Sequence, residues 1–309
     1  MSKTALLFAG QGAQVVGMGK DLVDTFPTAR TWFERANASL GYDLTAICFN
    51  GPEAELTKTE HAQPGIYLVS WVAQELLKEQ VPELKFDATA GLSLGEFTAL
   101  AAAGALNFED GIKLVRERGI YMQEACDATE GGMAAVIGLD ELVTREICAA
   151  AGVELANLNC PGQLVISGEL SRITQAVELA KAKGARRAIP LPVAGAYHSA
   201  LMADARPKLA AALTQVNLTA PQVPVMSNVT AQYHGSPEDI HRLLGEQVTS
   251  SVLWEKSMRE LLAQGFTRFI ELGPGNALTG FMKRIDKTVQ VLNIADVPTL
   301  AASVKVLQE

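Results

Sequence analysis

The sequence predicts an α/β fold in which a small subdomain interrupts a large domain. Two patterns indicate this. At both ends of the chain, short apolar runs typical of buried strands alternate with longer segments of helical periodicity. In the middle, residues 131–193 follow a regular β-α-β-β-α-β order. We therefore expect two structural units, the larger of which is built from both ends of the chain.

The N-terminal part alternates strands and helices. Residues 4–9 form an apolar run that we assign to the first strand, and a glycine-rich turn follows it. Pro64 suits the first turn of a helix, because proline lacks an amide that this turn leaves unpaired anyway. Residues 86–90 predict a short strand, and residues 108–125 predict a helix that carries Arg116 and Arg118.

The central pattern predicts a ferredoxin-like unit. Its strands are expected at residues 133–137, 153–158, 163–167 and 187–193, and its helices at residues 141–151 and 172–183. Gly184 is placed to end the second helix. We assign residues 128–196 to this subdomain, and residues 1–127 and 197–309 to the large domain.

The α/β pattern returns in the C-terminal part. Helices are predicted at residues 202–213 and 253–263, and strands at residues 224–228 and 266–272. Gly273-Pro274-Gly275 ends the last of these strands. It is either a simple tight turn or one wall of a cleft, since ligands of open α/β sheets bind beyond the carboxyl ends of strands.

The composition narrows the class of protein. The 309 residues, 48% apolar and 19% charged, suffice for a large core, and the net charge of −8 argues against a nucleic-acid surface. Four scattered cysteines lack the paired spacing of a zinc site or a disulfide framework. No apolar run suits a signal peptide or a membrane span. We expect a cytoplasmic protein with no metal, no tightly bound cofactor and no membrane contact.

The motif Gly91-Leu92-Ser93-Leu94-Gly95 makes Ser93 the leading catalytic candidate. A Gly-x-Ser-x-Gly sequence between a strand and a helix is the nucleophile elbow, a sharp turn that lifts the serine hydroxyl out of the sheet. Side chains at the two glycines would crowd that turn. The alternative is an ordinary glycine-rich turn. With the elbow, the predicted fold is an α/β-hydrolase-like large domain with an inserted ferredoxin-like small subdomain.

His198 is the leading candidate for the base that an elbow serine needs. It follows the last subdomain strand, where the chain re-enters the large domain and can line a cleft between the two. The competing interpretation is a buried structural histidine. His61, His234 and His241 lie in polar or charged contexts and are expected to be solvated surface residues.

Acyl transfer also needs donors for the oxyanion of the tetrahedral intermediate. In elbow enzymes one donor is the amide after the serine, here that of Leu94. The turn Gly10-Gln11-Gly12-Ala13-Gln14 follows the first strand and can supply a second. As a phosphate-binding loop, this turn fits neither the dinucleotide spacing nor the P-loop spacing.

Taken together, the motifs resemble those of one family, the malonyl-CoA:acyl carrier protein transacylases, in order over nearly the whole chain. The matching segments are Gly10 to Gln14, Gly91 to Glu96, Arg118-Gly119 with Met122-Gln123, Asn159-x-Pro161-x-Gln163, Gly195 to Ser199 with Leu201-Met202, and Gly273-Pro274-Gly275. The resemblance implies that malonyl-CoA acylates Ser93, with His198 as general base and acid, and that acyl carrier protein then takes the malonyl group for fatty acid synthesis.

The resemblance also implies roles for residues around the nucleophile. The backbone amides of Gln11 and Leu94 become the oxyanion donors, and Gln63 becomes a lesser pocket residue. Arg118 becomes the ligand of the malonyl carboxylate, a role that a guanidinium fills with two parallel charge-assisted hydrogen bonds. Without the resemblance, Arg118 is better interpreted as a solvated helix charge paired with a neighbour. The family orients its histidine with a backbone carbonyl, and the matching position is Ser250, where members often have asparagine.

Two residues near the nucleophile bear on rate and selectivity. Leu92 replaces the histidine that the family has before its serine, so we expect an altered rate with activity retained. Tyr197 resembles the malonyl-selecting form of its motif, because its bulk leaves little room for a branched acyl unit. We therefore expect a preference for malonyl over methylmalonyl thioesters.

The resemblance also implies binding partners, and other functions remain as alternatives. Acidic carrier proteins need a basic docking surface, and the candidates are Lys181, Lys183, Arg186 and Arg187, which could also be a solvated helix end. We expect a monomer that binds coenzyme A thioesters and no nucleic acid. The alternatives are an acyltransferase of a polyketide pathway, a serine acyl hydrolase that would not need Arg118, and a silent scaffold, suggested by Leu92.

Overall fold

The computed structural model describes residues 3–309, which form two packed units. The strands are β1 (Lys3–Phe8), β2 (Ala88–Gly91), β3 (Gly131–Ile137), β4 (Glu154–Cys160), β5 (Gln163–Glu169), β6 (Arg187–Pro190), β7 (Phe266–Leu272) and β8 (Gln290–Ile294). The helices are α1 (Lys20–Thr25), α2 (Pro27–Leu40), α3 (Leu44–Asn50), α4 (Glu53–Thr57), α5 (Thr59–Gln80), α6 (Leu94–Ala102), α7 (Phe108–Asp127), α8 (Glu141–Ala151), α9 (Leu170–Ala182), α10 (Ala205–Leu213), α11 (Pro237–Gln247), α12 (Trp254–Ala263), α13 (Ala277–Ile285) and α14 (Val297–Gln308).

The large unit is built on a parallel sheet with the strand order β2-β1-β7-β8. Alternate residues of β1 face opposite sides: Leu6 and Phe8 join one hydrophobic cluster, and Ala5 and Leu7 join another. Both faces of the sheet are therefore buried, as expected for a parallel sheet covered by helices. The loops after β1, β2 and β7 leave the same edge of the sheet, where a parallel sheet opens its binding crevice.

The small unit has its own antiparallel sheet with the strand order β4-β5-β3-β6. Helices α8 and α9 connect the strands, so the chain follows the β-α-β-β-α-β order of a ferredoxin-like fold. Its core is a separate cluster that includes Val136, Ile147, Ile166 and Val177. The fold is thus an α/β-hydrolase-like large unit with a ferredoxin-like insertion, as predicted.

Two local predictions were wrong. Helix α5 begins at Thr59, so Pro64 lies inside the helix and not at its first turn. The two residues before it, Ala62 and Gln63, are fully buried, and this packing offsets the backbone hydrogen bond that the proline lacks. Residues 224–228 form isolated bridges, including one from Val225 to Thr89, instead of a strand.

No helix within residues 3–309 is both long enough and apolar enough to span a bilayer.

Candidate active site

Ser93 occupies a sharp turn between β2 and α6, with backbone angles φ 52° and ψ −100°. This conformation is costly for a residue with a side chain, and such strain is typical of functional positions. Two glycines make the turn possible. A Cβ at Gly91 would overlap the backbone of Gly95, and a Cβ at Gly95 would overlap the carbonyl group of Phe8. The local geometry is therefore that of the predicted nucleophile elbow.

His198 lies within hydrogen-bond distance of the serine, although 105 residues separate them in the chain. Its Nε2 is 2.8 Å from Ser93 Oγ, and its Nδ1 is 2.9 Å from the carbonyl oxygen of Gln247. Because a carbonyl only accepts, Nδ1 carries the proton and Nε2 is free to accept one from the serine. His198 also has a positive φ, 58°, so both members of the pair are held in uncommon backbone conformations.

The backbone carbonyl that orients His198 belongs mainly to Gln247, at the carboxyl end of α11, three residues before the predicted Ser250. The Ser250 carbonyl is the weaker of two backbone acceptors that favour the protonated ring. Helix ends leave carbonyl groups without intrahelical partners, which explains why Gln247 can serve this ring. The carbonyl that contacts the ring thus lies three residues before the predicted position.

Burial, together with the positive charge of Arg118, lowers the pKa of His198 to about 4. The Gln247 and Ser250 carbonyls oppose this shift without reversing it. The ring is therefore neutral at physiological pH, which is the form that can accept the serine proton.

Arg118 lies directly behind the nucleophile with 1% of its surface exposed. Its guanidinium donates to Ser93 Oγ at 3.0 Å, to Gln63 Oε1 at 2.8 Å and to Gln247 Oε1 at 2.9 Å. Burial lowers the pKa of Arg118 to about 10, so the group stays charged at neutral pH. Arg118 is thus not a solvated helix charge, and its guanidinium could meet an anionic group that enters beside Ser93.

Gln63 and Gln11 extend this polar group toward the cavity. Gln63 Nε2 donates to Gln11 Oε1 at 3.2 Å, and Gln11 Nε2 is 3.5 Å from the hydroxyl of Tyr197. That hydroxyl also lies 3.0 Å from Thr59 Oγ1. The predicted pocket residues therefore form one connected set, with the Tyr197 ring fixed at its edge.

The amides of Gln11 and Leu94 make no hydrogen bond within residues 3–309. Leu94 is the first residue of α6, where helix geometry leaves the amide without a partner and the helix dipole favours negative charge. Gln11 lies in the loop after β1 and Leu94 at the start of α6, and both are at the carboxyl edge of the large sheet. Free amides at this edge are suited to an oxyanion.

A cavity of about 540 Å³ opens over the serine, between the loops of the two units. Its wall includes Ser93, His198, Gln11, Leu92, Asn159 and Phe281. The volume suits a small-molecule substrate. Leu92 presents an alkyl side chain to this wall and packs with the cluster on one face of the sheet.

Sequence reasoning missed a set of buried polar residues beneath the elbow. Asn228 accepts from the Ser93 amide at 2.6 Å and donates to the Gly91 carbonyl at 2.8 Å, so it holds the turn from both sides. Gln247 Nε2 donates to the Ser93 carbonyl at 3.0 Å and to Glu96 at 2.6 Å. His234 pairs with Glu96 and is buried, so its prediction as a solvated residue was wrong.

The four basic residues predicted to dock a partner are all exposed at the end of α9 and the start of β6. Lys181 pairs with Glu178, and Lys183 pairs with Glu146. Arg186 and Arg187 make no ion pair within residues 3–309. None of the four lines the cavity over Ser93.

Comparison with known proteins agrees with this geometry. Residues 5–304 match the model of the acyl transferase domain. A relative from Bacillus subtilis, named malonyl CoA-acyl carrier protein transacylase, is 44% identical over 100% of this chain and 98% of its own length. The crystal structure of an acyl-carrier-protein-S-malonyltransferase from Bartonella henselae is 41% identical, with a TM-score of 0.95 over 99% of this chain and 100% of that one.

A third similar protein was solved as a complex of a type II polyketide acyl-carrier protein with its malonyl-transacylase. It is 38% identical, with a TM-score of 0.95 over 98% of this chain and 99% of that one. The likeness thus covers both units and every motif loop. The chain belongs to the acyl transferase domain family and, within it, to the malonyl-CoA:acyl carrier protein transacylases.

Proposed function

We propose that this protein transfers a malonyl group from malonyl-CoA to the phosphopantetheine thiol of acyl carrier protein, through an ester on Ser93. The observation that carries the proposal is the position of Arg118, which donates to Ser93 Oγ from inside the protein. A buried guanidinium beside a nucleophile suits an acyl group that ends in a carboxylate. An acyl group without charge would leave that guanidinium without an ionic partner.

In the first half-reaction, Ser93 Oγ attacks the thioester carbonyl carbon while His198 Nε2 takes the hydroxyl proton. The 2.8 Å separation is already that of a hydrogen bond, so no rearrangement of the pair is needed. The Gln247 carbonyl stabilises the imidazolium that forms, since it accepts a hydrogen bond from Nδ1–H. The intermediate then collapses: the carbon–sulfur bond breaks, and the departing sulfur of coenzyme A takes the proton from His198.

The oxyanion of each tetrahedral intermediate is stabilised by the Gln11 and Leu94 amides. These amides have no other partner within residues 3–309, so they can donate without first breaking a bond. The loss of one such donor costs roughly 10²–10³ in rate in well-studied enzymes. The dipole of α6 favours the same negative charge.

The second half-reaction reverses the first with a different thiol. His198 Nε2 takes the proton of the carrier's phosphopantetheine thiol, and the thiolate attacks the malonyl-Ser93 ester. The ester bond breaks, Ser93 Oγ recovers its proton from His198, and malonyl-carrier protein leaves. Neither half-reaction changes an oxidation state, so malonyl-CoA and the carrier thiol are the only reactants required. Malonyl-carrier protein is the extender unit of fatty acid synthesis.

Selection of malonyl over branched acyl groups is assigned to Tyr197. Its ring is buried and its hydroxyl is tied to Thr59, so it cannot swing away from the acyl site. A methyl branch on the malonyl carbon would meet this fixed ring. Comparable kcat/KM values for malonyl-CoA and methylmalonyl-CoA would contradict this assignment.

Carrier docking is assigned to the basic surface formed by Lys181, Lys183, Arg186 and Arg187. Its support is that all four are exposed and that both arginines lack an acidic partner within residues 3–309, which leaves them open to an acidic protein. Reversing the charge of Arg186 and Arg187 to glutamate is expected to slow transfer to the carrier and to spare acylation by malonyl-CoA. A matched control reverses the exposed Arg30 and Lys113, which lie outside this surface. Equal loss in both steps would contradict the docking role.

The function is tested by incubating the enzyme with malonyl-CoA and holo carrier protein and measuring two products, malonyl-carrier protein and free malonate. Malonyl-carrier protein is expected to form much faster than free malonate, and the Arg118→Ala variant is expected to lose this activity selectively for malonyl-CoA over acetyl-CoA. Release of malonate with little carrier product would indicate a hydrolase. A polyketide carrier accepted in preference to a fatty acid carrier would place the enzyme in a polyketide pathway.

A further inference from the structure

A buried carboxylate, Glu96, lies beneath the nucleophile elbow and takes no part in the mechanism above. Its side chain is fully buried. One oxygen, Oε2, accepts from the backbone amide of Asn228 at 3.1 Å and from the side-chain Nε2 of Gln247 at 2.6 Å. The other, Oε1, is 2.6 Å from His234 Nε2. Burying an ionised carboxylate is expensive unless it is hydrogen-bonded and balanced by a positive charge.

The neighbouring His234 contacts this carboxylate through one ring nitrogen. Its Nε2 faces the carboxylate, while its Nδ1 is buried without a partner in the part of the chain that the structure describes. In either protonation state, the ring can donate one hydrogen bond from Nε2 to the carboxylate. Glu96 makes no ion pair with a lysine or an arginine within residues 3–309.

Arg118 is a buried positive charge that has no negatively charged group in direct contact. All three of its hydrogen bonds go to uncharged groups, on Gln63, Ser93 and Gln247, and it forms no ion pair within residues 3–309. Gln247 joins the two charges through one side-chain amide. Its Oε1 accepts from Arg118 at 2.9 Å, and its Nε2 donates to Glu96 at 2.6 Å.

We propose that Glu96 is the counter-charge of Arg118, held one side chain away by Gln247, so that the guanidinium stays charged while its N–H groups remain available to a substrate carboxylate. The inference rests on the proposed role of Arg118 as the malonyl ligand. A carboxylate in direct contact with Arg118 would form a salt bridge that each substrate had to break. The uncharged partners seen here are easier to displace.

The charge of Glu96 is expected to weaken the binding of a malonyl carboxylate to Arg118. The negative charge of Glu96 favours the charged form of Arg118 and partly offsets the burial that lowers its pKa. The same negative charge repels a second carboxylate that approaches Arg118. Removal of the Glu96 charge should therefore strengthen binding of a malonyl group, which becomes the missing counter-charge, and should weaken the unliganded fold.

The test replaces Glu96 by glutamine, which has nearly the same shape and no charge, in the full-length protein. Single-turnover acylation of Ser93 is measured against the concentration of malonyl-CoA and of acetyl-CoA. The half-saturating malonyl-CoA concentration is expected to fall on the order of tenfold relative to that of acetyl-CoA, as for one charge removed nearby in a partly screened site. The matched control, His234→Gln, disturbs the same cluster without changing the charge of Glu96 and should leave the ratio unchanged.

Equal changes for both thioesters, or a selective rise for malonyl-CoA, would overturn the proposal and leave Glu96 a purely structural residue. Thermal unfolding supplies a second measurement that holds even if Glu96→Gln folds poorly. The double variant Glu96→Gln with Arg118→Gln lacks both charges. It is expected to have a higher melting temperature than the Glu96→Gln single variant. A double variant that melts lower would overturn the proposal. Failure of the unmodified protein to be acylated by malonyl-CoA would instead reject the proposed function.

Discussion

The acylation of Ser93 is expected to keep its rate at pH values where an ordinary histidine base has already failed. The reason is that burial, together with the charge of Arg118, lowers the pKa of His198 from 6.5 to about 4. At pH 5 such a ring is still about nine-tenths neutral, whereas a histidine of pKa 6.5 is neutral in only about 3% of molecules. The two cases therefore differ about thirtyfold in active base at that pH.

The measurement uses a substrate that does not titrate in the same range. The malonyl thioester of N-acetylcysteamine has no phosphate, and its kcat/KM reports the free enzyme. We expect a plateau from pH 8 to about pH 5, followed by a decline toward pH 4. Arg118→Gln should move the decline to higher pH, because the positive charge that opposes the imidazolium is gone. A decline in the unmodified enzyme that centres near pH 6.5 would refute the reasoning.

The same shift predicts how the fold responds to acid. His198 is neutral in the folded state and has an ordinary pKa when unfolded, so between pH 6.5 and 4 the unfolded chain binds more protons. The stabilisation present above pH 6.5 is thus lost as the pH falls through this window, by up to roughly 3 kcal/mol from this group. Denaturant unfolding should show a smaller loss in His198→Gln over the same range, and an identical loss would contradict the shift.

Three further substitutions test the site. Arg118→Lys should lower kcat/KM for malonyl-CoA by roughly 10–10², because one of two charge-assisted hydrogen bonds is lost, with acetyl-CoA turnover as the control. Leu92→His should change the acylation rate without abolishing it, and an unchanged rate would show that this residue has no influence. Gly91→Ala should destabilise the fold by roughly 3 kcal/mol, the upper end of the usual cost of overpacking, since its Cβ would overlap the Gly95 backbone. Its control, Gly280→Ala in α13, meets no neighbour and should be tolerated or stabilising in thermal melts.

The positions of the proposed catalytic residues were predictable because each lies in a short motif with its own local geometry. The elbow needs glycine at two fixed positions around Ser93, and this requirement is written in five consecutive residues. His198 follows a strand end at the junction of the two units, where a cleft residue is expected. The structure brings these two side chains into hydrogen-bond contact, and it places Arg118 against the same hydroxyl.

The residues that hold this arrangement in place carry no such local signal. Asn228 and Gln247 contact Ser93 from 135 and 154 positions away in the chain, and each does so through an amide that also occurs in ordinary loops and helices. His234 lies in a polar segment that looks exposed, but the turn between Met226 and Tyr233 carries it under the elbow. Only the packing of distant segments creates these contacts, so local sequence patterns could not predict them.

Among the helices and strands, too, those with a clear local signal were predicted and others were not. The strands of the small unit were located closely, because apolar runs and glycine or proline turns mark most of them, although the last one, predicted at residues 187–193, ends at Pro190. The segment at residues 224–228 has the apolar character of a strand, yet it makes only isolated bridges. The start of α5 was misplaced by the usual preference of proline for a first turn, which the buried packing of Gln63 overrides.

The most direct test of the account is to find the acyl group on the enzyme during turnover. The protein is mixed with malonyl-CoA, quenched in acid and digested, and the peptides are sequenced by mass spectrometry, with Ser93→Ala as the control. We predict a malonyl ester on Ser93, absent from the control and lost to holo carrier protein at the rate at which malonyl-carrier protein appears. Formation of malonyl-carrier protein at an undiminished rate by Ser93→Ala, or without any ester on Ser93, would contradict the account.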